Sequence, residues 1–178
     1  MKSLPLLTVA AAAAASGSAF ATQYLTVEQA QRAIFPDATR FADANLQLSP
    51  EQMRQVEKLS GLPARSANWR VFAAYRGDAL LGHMVLDDVV GKFELISYAV
   101  GVNPDASIRQ VEILTYRESH GFEIKSAAWR RQFVGKTVQS GLAVGEGIAN
   151  ISGATLSCNH VTDGVRRIAA VAQVMLKK

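Results

Sequence analysis

Four residues near the C-terminus carry the chemistry of this chain. Ser152-Gly153-Ala154-Thr155 stands immediately before a segment of helical periodicity. A hydroxyl there lies beside backbone N–H groups that have no intrahelical partner, at the positive end of a helix dipole. Such a place attracts a phosphate and sets a nucleophilic oxygen next to it, so the phosphate can be held and, in principle, esterified. Gly153 and Ala154 are small enough for a phosphate to approach the backbone. N–H groups near Leu156 and Ser157 can donate to it, and the Ser152 and Ser157 hydroxyls can add hydrogen bonds. The same residues fit a plainer description in which Thr155 is a helix N-cap after a glycine turn, and Thr155→Ala then costs about 1 kcal/mol. Other reactive groups are sparse. His83, His120 and His160 are isolated in sequence. Cys158 is the sole cysteine, which excludes an intramolecular disulfide and, without Cys or His partners at ligand spacing, leaves zinc and haem unsupported.

The elements that must position this run follow from periodicity and punctuation. Thr26 with Gln29 reads as a capping box opening a short helix that Pro36 ends. Ser49, Pro50 and Gln52 repeat the logic for a second helix, which runs to about Ser60 and stops at Gly61. Strands are predicted at Trp69 to Arg76, Ala79 to Leu86, Phe93 to Val102 and Ile108 to Arg117. The turns are Gly77-Asp78, Gly91-Lys92 and Asn103-Pro104-Asp105, and Gly82 marks a bulge or close approach. Strands joined so tightly form an antiparallel meander. Glu118 to Glu123 is a polar loop, and Ser126 to Phe133 a short helix with Trp129 and Phe133 on one face. A further extended segment follows Gly135-Lys136-Thr137, before the Gly145-Glu146-Gly147 turn. In the last helix Val161, Val165, Ile168, Ala172 and Met175 recur on one face, and Arg166, Arg167, Lys177 and Lys178 are assigned to the polar side. The fold class is therefore α+β: an antiparallel sheet with a C-terminal helix packed on it and an N-terminal helical preface.

The organisation expected is a signal peptide at 1–21, the helical preface at 22–65 and the main domain at 66–178. Lys2 begins a short positive region, Leu4 to Ala15 are apolar, and Ala19-Phe20-Ala21 is a small-x-small cleavage site. This predicts export to the periplasm, with an uncleaved, membrane-associated anchor as the alternative. The chain of 178 residues has a formal net charge of +4, but its Lys and Arg are scattered without interleaved aromatics, which argues against nucleic acid as a partner.

Several of these segments together resemble a known family. Ala149-Asn150-Ile151-Ser152-Gly153-Ala154-Thr155-Leu156-Ser157 is similar to an Asp-x-x-Ser/Thr-Gly-Ala-Thr signature. Arg117-Glu118-Ser119-His120-Gly121-Phe122 looks like a strand ending in Glu-Thr-Pro-Gly-Leu. Trp129, Phe133, Gly135 and Lys136 match a Trp and Phe before Gly-Lys. The family is the FMN-binding domain of the covalently flavinylated subunits of Rnf-type and sodium-pumping quinone oxidoreductase complexes, with their exported single-domain relatives. The resemblance spans about residues 80 to 176.

It implies a flavoprotein of electron transport. Thr155 would carry FMN through a phosphoester bond (a phosphothreonyl-FMN), installed by a flavin transferase with FAD as donor and a divalent metal. The tethered cofactor would relay electrons between redox partner proteins, a membrane quinone- or haem-linked donor among them. No protein general acid or base is then expected. The loop His120-Gly121-Phe122 would supply part of the isoalloxazine wall, or else be a plain turn with Phe122 in the core. Glu118 would touch the flavin from its loop, or else be a surface charge, and Trp129 and Phe133 would pack the core. Two departures stand out: Ala149 replaces the family's Asp, and Ser119-His120 replace its Thr-Pro. Two other functions remain open at this point. One is a periplasmic reductase that passes electrons to a bound small molecule and needs a cationic or acid group near the flavin. The other is an accessory module that kept the fold and lost the cofactor.

Overall fold

The computed structural model describes residues 24–177, so the predicted signal peptide lies outside the described residues. Both N-terminal helices begin as their sequences dictate. Helix α1 (Val27–Ile34) follows a reciprocal Thr26–Gln29 capping box. Helix α2 (Pro50–Ser60) follows a Ser49–Gln52 box with Pro at its first turn, and ends at Gly61 with φ +67°. The preface is not helical throughout. Strands β1 (Arg40–Asp43) and β2 (Leu46–Gln47) lie between these helices and pair antiparallel with β3 (Asn68–Arg76). They cover the outer edge of β3, whose backbone groups would otherwise stand open.

The predicted meander is present. β3, β4 (Ala79–Val90), β5 (Leu95–Val102) and β6 (Ile108–Tyr116) run antiparallel in the order β1-β3-β4-β5-β6. The register slips beside Gly82, where a Cβ would come within 2.3 Å of the Val102 carbonyl, so Gly82 is both bulge and close approach. β4 runs four residues past the expected end at Leu86, because Asp87 to Val90 continue to pair with β5.

Side chains alternate across the sheet and build a core on each face. Val71, Val85, Tyr98, Val100 and Ile113 enter the larger core. Met84, Ala99 and Leu114 enter a smaller one with Ala30, Ile34 and Phe35 of α1. The larger core lies beneath α4 (Thr155–Val171), which continues into a π-helical turn, Ala172–Leu176. Val161, Val165, Ile168 and Ala172 are fully buried as their spacing predicts. Arg167 departs from its assignment to the polar side: it is only 5% exposed. Gly164 lets α4 sit close on β5, since a Cβ there would come within 1.8 Å of the Tyr98 hydroxyl.

Between sheet and α4 the chain forms α3 (Ala127–Arg130), capped by Ser126, and a 3-10 turn, Arg131–Phe133. Trp129 and Phe133 are buried with ring centroids 5.1 Å apart. The extended segment expected after Thr137 is a series of turns instead, with a single bridge between Val144 and Ile148. The edge of β6 that a strand would need is occupied at its start by Gly135 and Lys136, which bond to Ile108.

Candidate functional site

Three segments meet at the start of α4 and enclose a cleft of about 460 Å³. Gly153, Ala154, Thr155, Leu156 and Ser157 form one side. The loop after β6 contributes Glu118, Ser119 and His120, and the turn between β4 and β5 contributes Lys92 and Phe93.

Thr155 is the first residue of α4 and is exposed, but it is not the N-cap. Ala154 holds that position, with no side-chain cap bond. The Thr155 hydroxyl instead accepts a hydrogen bond from Asn150 Nδ2 at 3.1 Å. The capping description is thereby corrected: Thr155 lies one residue past the N-cap, and its hydroxyl makes no capping bond. Among the described residues, the first backbone bond of the helix is from Cys158 N–H to the Ala154 carbonyl, 2.9 Å. The N–H groups of Thr155, Leu156 and Ser157 have no acceptor within the described protein. A 17-residue helix thus presents three unpaired donors and its dipole to the cleft. Gly153 takes φ +80°, the left-handed bend that turns the chain into this helix.

Two neighbours hold the run in place. Gly121, at φ +82°, lies against Ala154: a Cβ on Gly121 would come within 2.2 Å of the Ala154 Cβ and 2.8 Å of the Tyr116 hydroxyl. The second is Trp129, whose indole N–H donates to the Ala149 carbonyl at 2.8 Å. The Ala149 N–H in turn donates to Gln132 Oε1 at 2.8 Å. Trp129 is therefore more than packing. It fixes the strand of chain that leads to Thr155, and it does so through the backbone, at the position where the family signature has Asp.

Glu118 is neither a surface charge nor a free ligand. It is buried, and its Oε1 accepts from the N–H groups of Phe93 at 2.7 Å and Glu94 at 3.0 Å, closing the β4–β5 turn. Burial favours its protonated form, but the N–H groups of Glu94, Phe93 and Lys92 and the Lys92 charge outweigh burial and hold the carboxyl below its ordinary range. Gly91 makes room for it, since a Cβ there would come within 2.5 Å of Glu118 Oε1. Ser157 is buried and lines the cleft. The Tyr116 hydroxyl donates to the His120 carbonyl.

The structure thus brings together seven of the ten residues singled out in the sequence: Gly153, Ala154, Thr155, Leu156, Ser157, Glu118 and His120. Ser152 is exposed outside the cleft and Gly121 lies behind it. Phe122 neither lines the cleft nor joins the core. It is 49% exposed and packs edge-on to Tyr116, centroids 5.9 Å apart, with the Lys125 ammonium 4.9 Å from its ring. Phe122 opens the 3-10 turn Phe122–Lys125, which begins after Gly121. Lys92, Phe93 and Ser119 complete the site and were not singled out. Phe93 had a signal, a large apolar residue directly after a hairpin turn, and it is 73% exposed. Its ring lies 4.8 Å from the Lys92 ammonium.

The cleft suits a phosphate-bearing aromatic cofactor. Three backbone donors face a phosphate, Phe93 and Leu156 offer exposed apolar walls, Lys92 is a cation, and the volume lies within the range of small-molecule sites. No curated protein sequence matches the chain significantly. Among solved structures, the chain is similar to the crystal structure of Shewanella oneidensis NqrC. The TM-score is 0.50 at 18% identity, over 78% of this chain and 80% of that one, a likeness of fold. The family model of the FMN-binding domain matches residues 91–170, a span that contains the β4–β5 turn, the Glu118 loop and the Thr155 run.

Proposed function

We propose that the chain is an exported flavoprotein that carries FMN covalently, through a phosphoester to Thr155, and relays electrons between a membrane-linked donor and a periplasmic acceptor. The observation that carries this reading is the placement of Thr155: an exposed hydroxyl at the rim of the cleft, on the first turn of a long helix with three unpaired N–H donors. Thr155, Leu156 and Ser157 would hold the phosphate through their backbone. Phe93 and Leu156 would flank the ring and shield it from water, and Lys92 would balance negative charge. FMN held there supplies one- and two-electron transfer, which the protein orients and tunes.

Attachment forms a bond from Thr155 Oγ1 to the FMN-side phosphorus of FAD, breaks the pyrophosphate link and releases AMP. The hydroxyl proton passes to a base on the flavin transferase, which works with a divalent metal. Asn150 donates to Thr155 Oγ1 and so leaves the hydroxyl hydrogen free to point elsewhere. The Ala149 departure removes a carboxylate from this segment without loosening it, because Trp129 and Gln132 hold the backbone there. Export rests on the N-terminal pattern at 1–21; among the described residues no helix is long and apolar enough to cross a membrane.

The test is the intact mass of the mature protein made together with a flavin transferase, followed by mass spectrometry of the peptide containing Thr155. The expected result is an FMN adduct on Thr155 and fluorescence that survives denaturing electrophoresis. A mass equal to that of the bare polypeptide overturns the reading.

A further inference from the structure

A second cleft, of about 250 Å³, lies further along the same helix. Arg65, Val89, Val90, His160, Asp163 and Arg167 line it. Arg167 is 5% exposed and donates from Nε to the Pro63 carbonyl at 2.8 Å. Its Nη1 is buried with no acceptor among the described residues. The acids nearby are engaged elsewhere. Asp87 accepts the Tyr98 hydroxyl at 2.6 Å and Asp163 accepts from Arg166 at 3.2 Å, and neither forms an ion pair with Arg65 or Arg167. His160 uses Nδ1–H on the Val90 carbonyl. A second guanidinium, Arg65, is therefore brought to a buried one that Asp87 and Asp163 offset only at longer range, without a close ion pair among the described residues. That is an unfavourable arrangement unless an anion completes it, because a buried charge requires a partner and full hydrogen bonding. Burial, and after it the charge of Arg65, hold Arg167 below the ordinary guanidinium range.

We propose that this cleft binds a small oxyanion, a carboxylate or phosphate group, gripped by Arg167 and Arg65 with His160 beside them. Guanidinium is the donor whose flat fork matches both chemistries. The volume favours a small anion over a nucleotide, since it falls below the usual range for larger ligands. The site is separate from the Thr155 cleft. Arg167 lies twelve residues further along α4, about 18 Å at helical rise. The proposal stands whether or not FMN is attached.

The full mature chain, bearing Thr155→Ala so that no flavin intervenes, is titrated at low ionic strength with inorganic phosphate and separately with succinate. Calorimetry gives affinity, and the Arg167 Nε–H resonance reports where binding occurs. The expected result is saturable binding of at least one anion that shifts this resonance and weakens about tenfold or more in Arg65→Gln. Binding of phosphate alone assigns the source to phosphate, and binding of succinate alone to a carboxylate. Arg167→Met should abolish binding. If that variant fails to fold, Arg65→Gln, a surface change, decides alone. No saturable binding of either anion, no shift of the resonance, or a smaller loss in Arg65→Gln overturns the proposal.

Discussion

Helix α4 lines both clefts, and they attract negative charge by opposite means. At its first turn no buried cation lines the cleft among the described residues; the backbone and the dipole do the work, and Lys92, from the β4–β5 turn, lines the cleft as well. At Arg167 the backbone is fully helical and the attraction comes from a buried side-chain charge. The first device is open at the surface and leaves room for a modifying enzyme to reach Thr155. The second is the smaller of the two, about 250 Å³, and admits only something small. Backbone donors come with any helix start, whereas a buried guanidinium must be placed by the chain around it, here by the Pro63 carbonyl.

That contrast can be broken at the first cleft by removing the acceptor oxygen. Thr155→Ala should abolish covalent flavin entirely, read by intact mass, while stability changes by less than about 0.5 kcal/mol, because Thr155 makes no capping bond. It should also leave anion binding at Arg65 and Arg167 untouched. A smaller effect is expected from Gly121→Ala, which forces a Cβ into Ala154 at a left-handed position. It should lower stability in urea by about 3 kcal/mol and disturb the Thr155 cleft but not the distant one.

Glu118→Gln should reduce stability at neutral pH by about 1–2 kcal/mol, since the 91–94 turn loses a charged acceptor. The carboxyl of Glu118 is held below its ordinary range in the folded protein. Its contribution is therefore fully present above the unfolded glutamate value and is lost as pH falls through the lower folded value. The variant should show a shallower loss of stability in acid, checked by denaturation at several pH values. Smallest of all, Trp129→Phe keeps an aromatic ring and loses the bond to the Ala149 carbonyl, at about 1 kcal/mol. Flavinylation by the transferase should slow more than this loss of stability alone would cause.

Local signals were readable where they are local in origin. The capping boxes at Thr26 and Ser49, the strand alternation of β3 to β6 and the apolar face of α4 depend on neighbours within a few residues. The Ser-Gly-Ala-Thr run was legible too, because a helix start needs only its own residues. The strands β1 and β2 were not: they are short, and they exist because β3 offers them an edge. Phe122 belongs to neither cleft nor core because it packs edge-on to Tyr116 at the surface, a contact that forms only once the loop has folded back on β6. Lys92 and Phe93 belong to the site only because Glu118, remote in sequence, captures their turn.

The order of types along the chain determined that Thr155 would stand at a helix start behind a glycine, since backbone valence and side-chain size settle that within a turn. Only tertiary packing decided that a cleft forms beside its hydroxyl, that Glu118 becomes a clamp, and that Arg167 is buried beside Arg65. Those outcomes depend on which distant segments the sheet and its two cores bring together, and pairing across a sheet is a property of the whole chain.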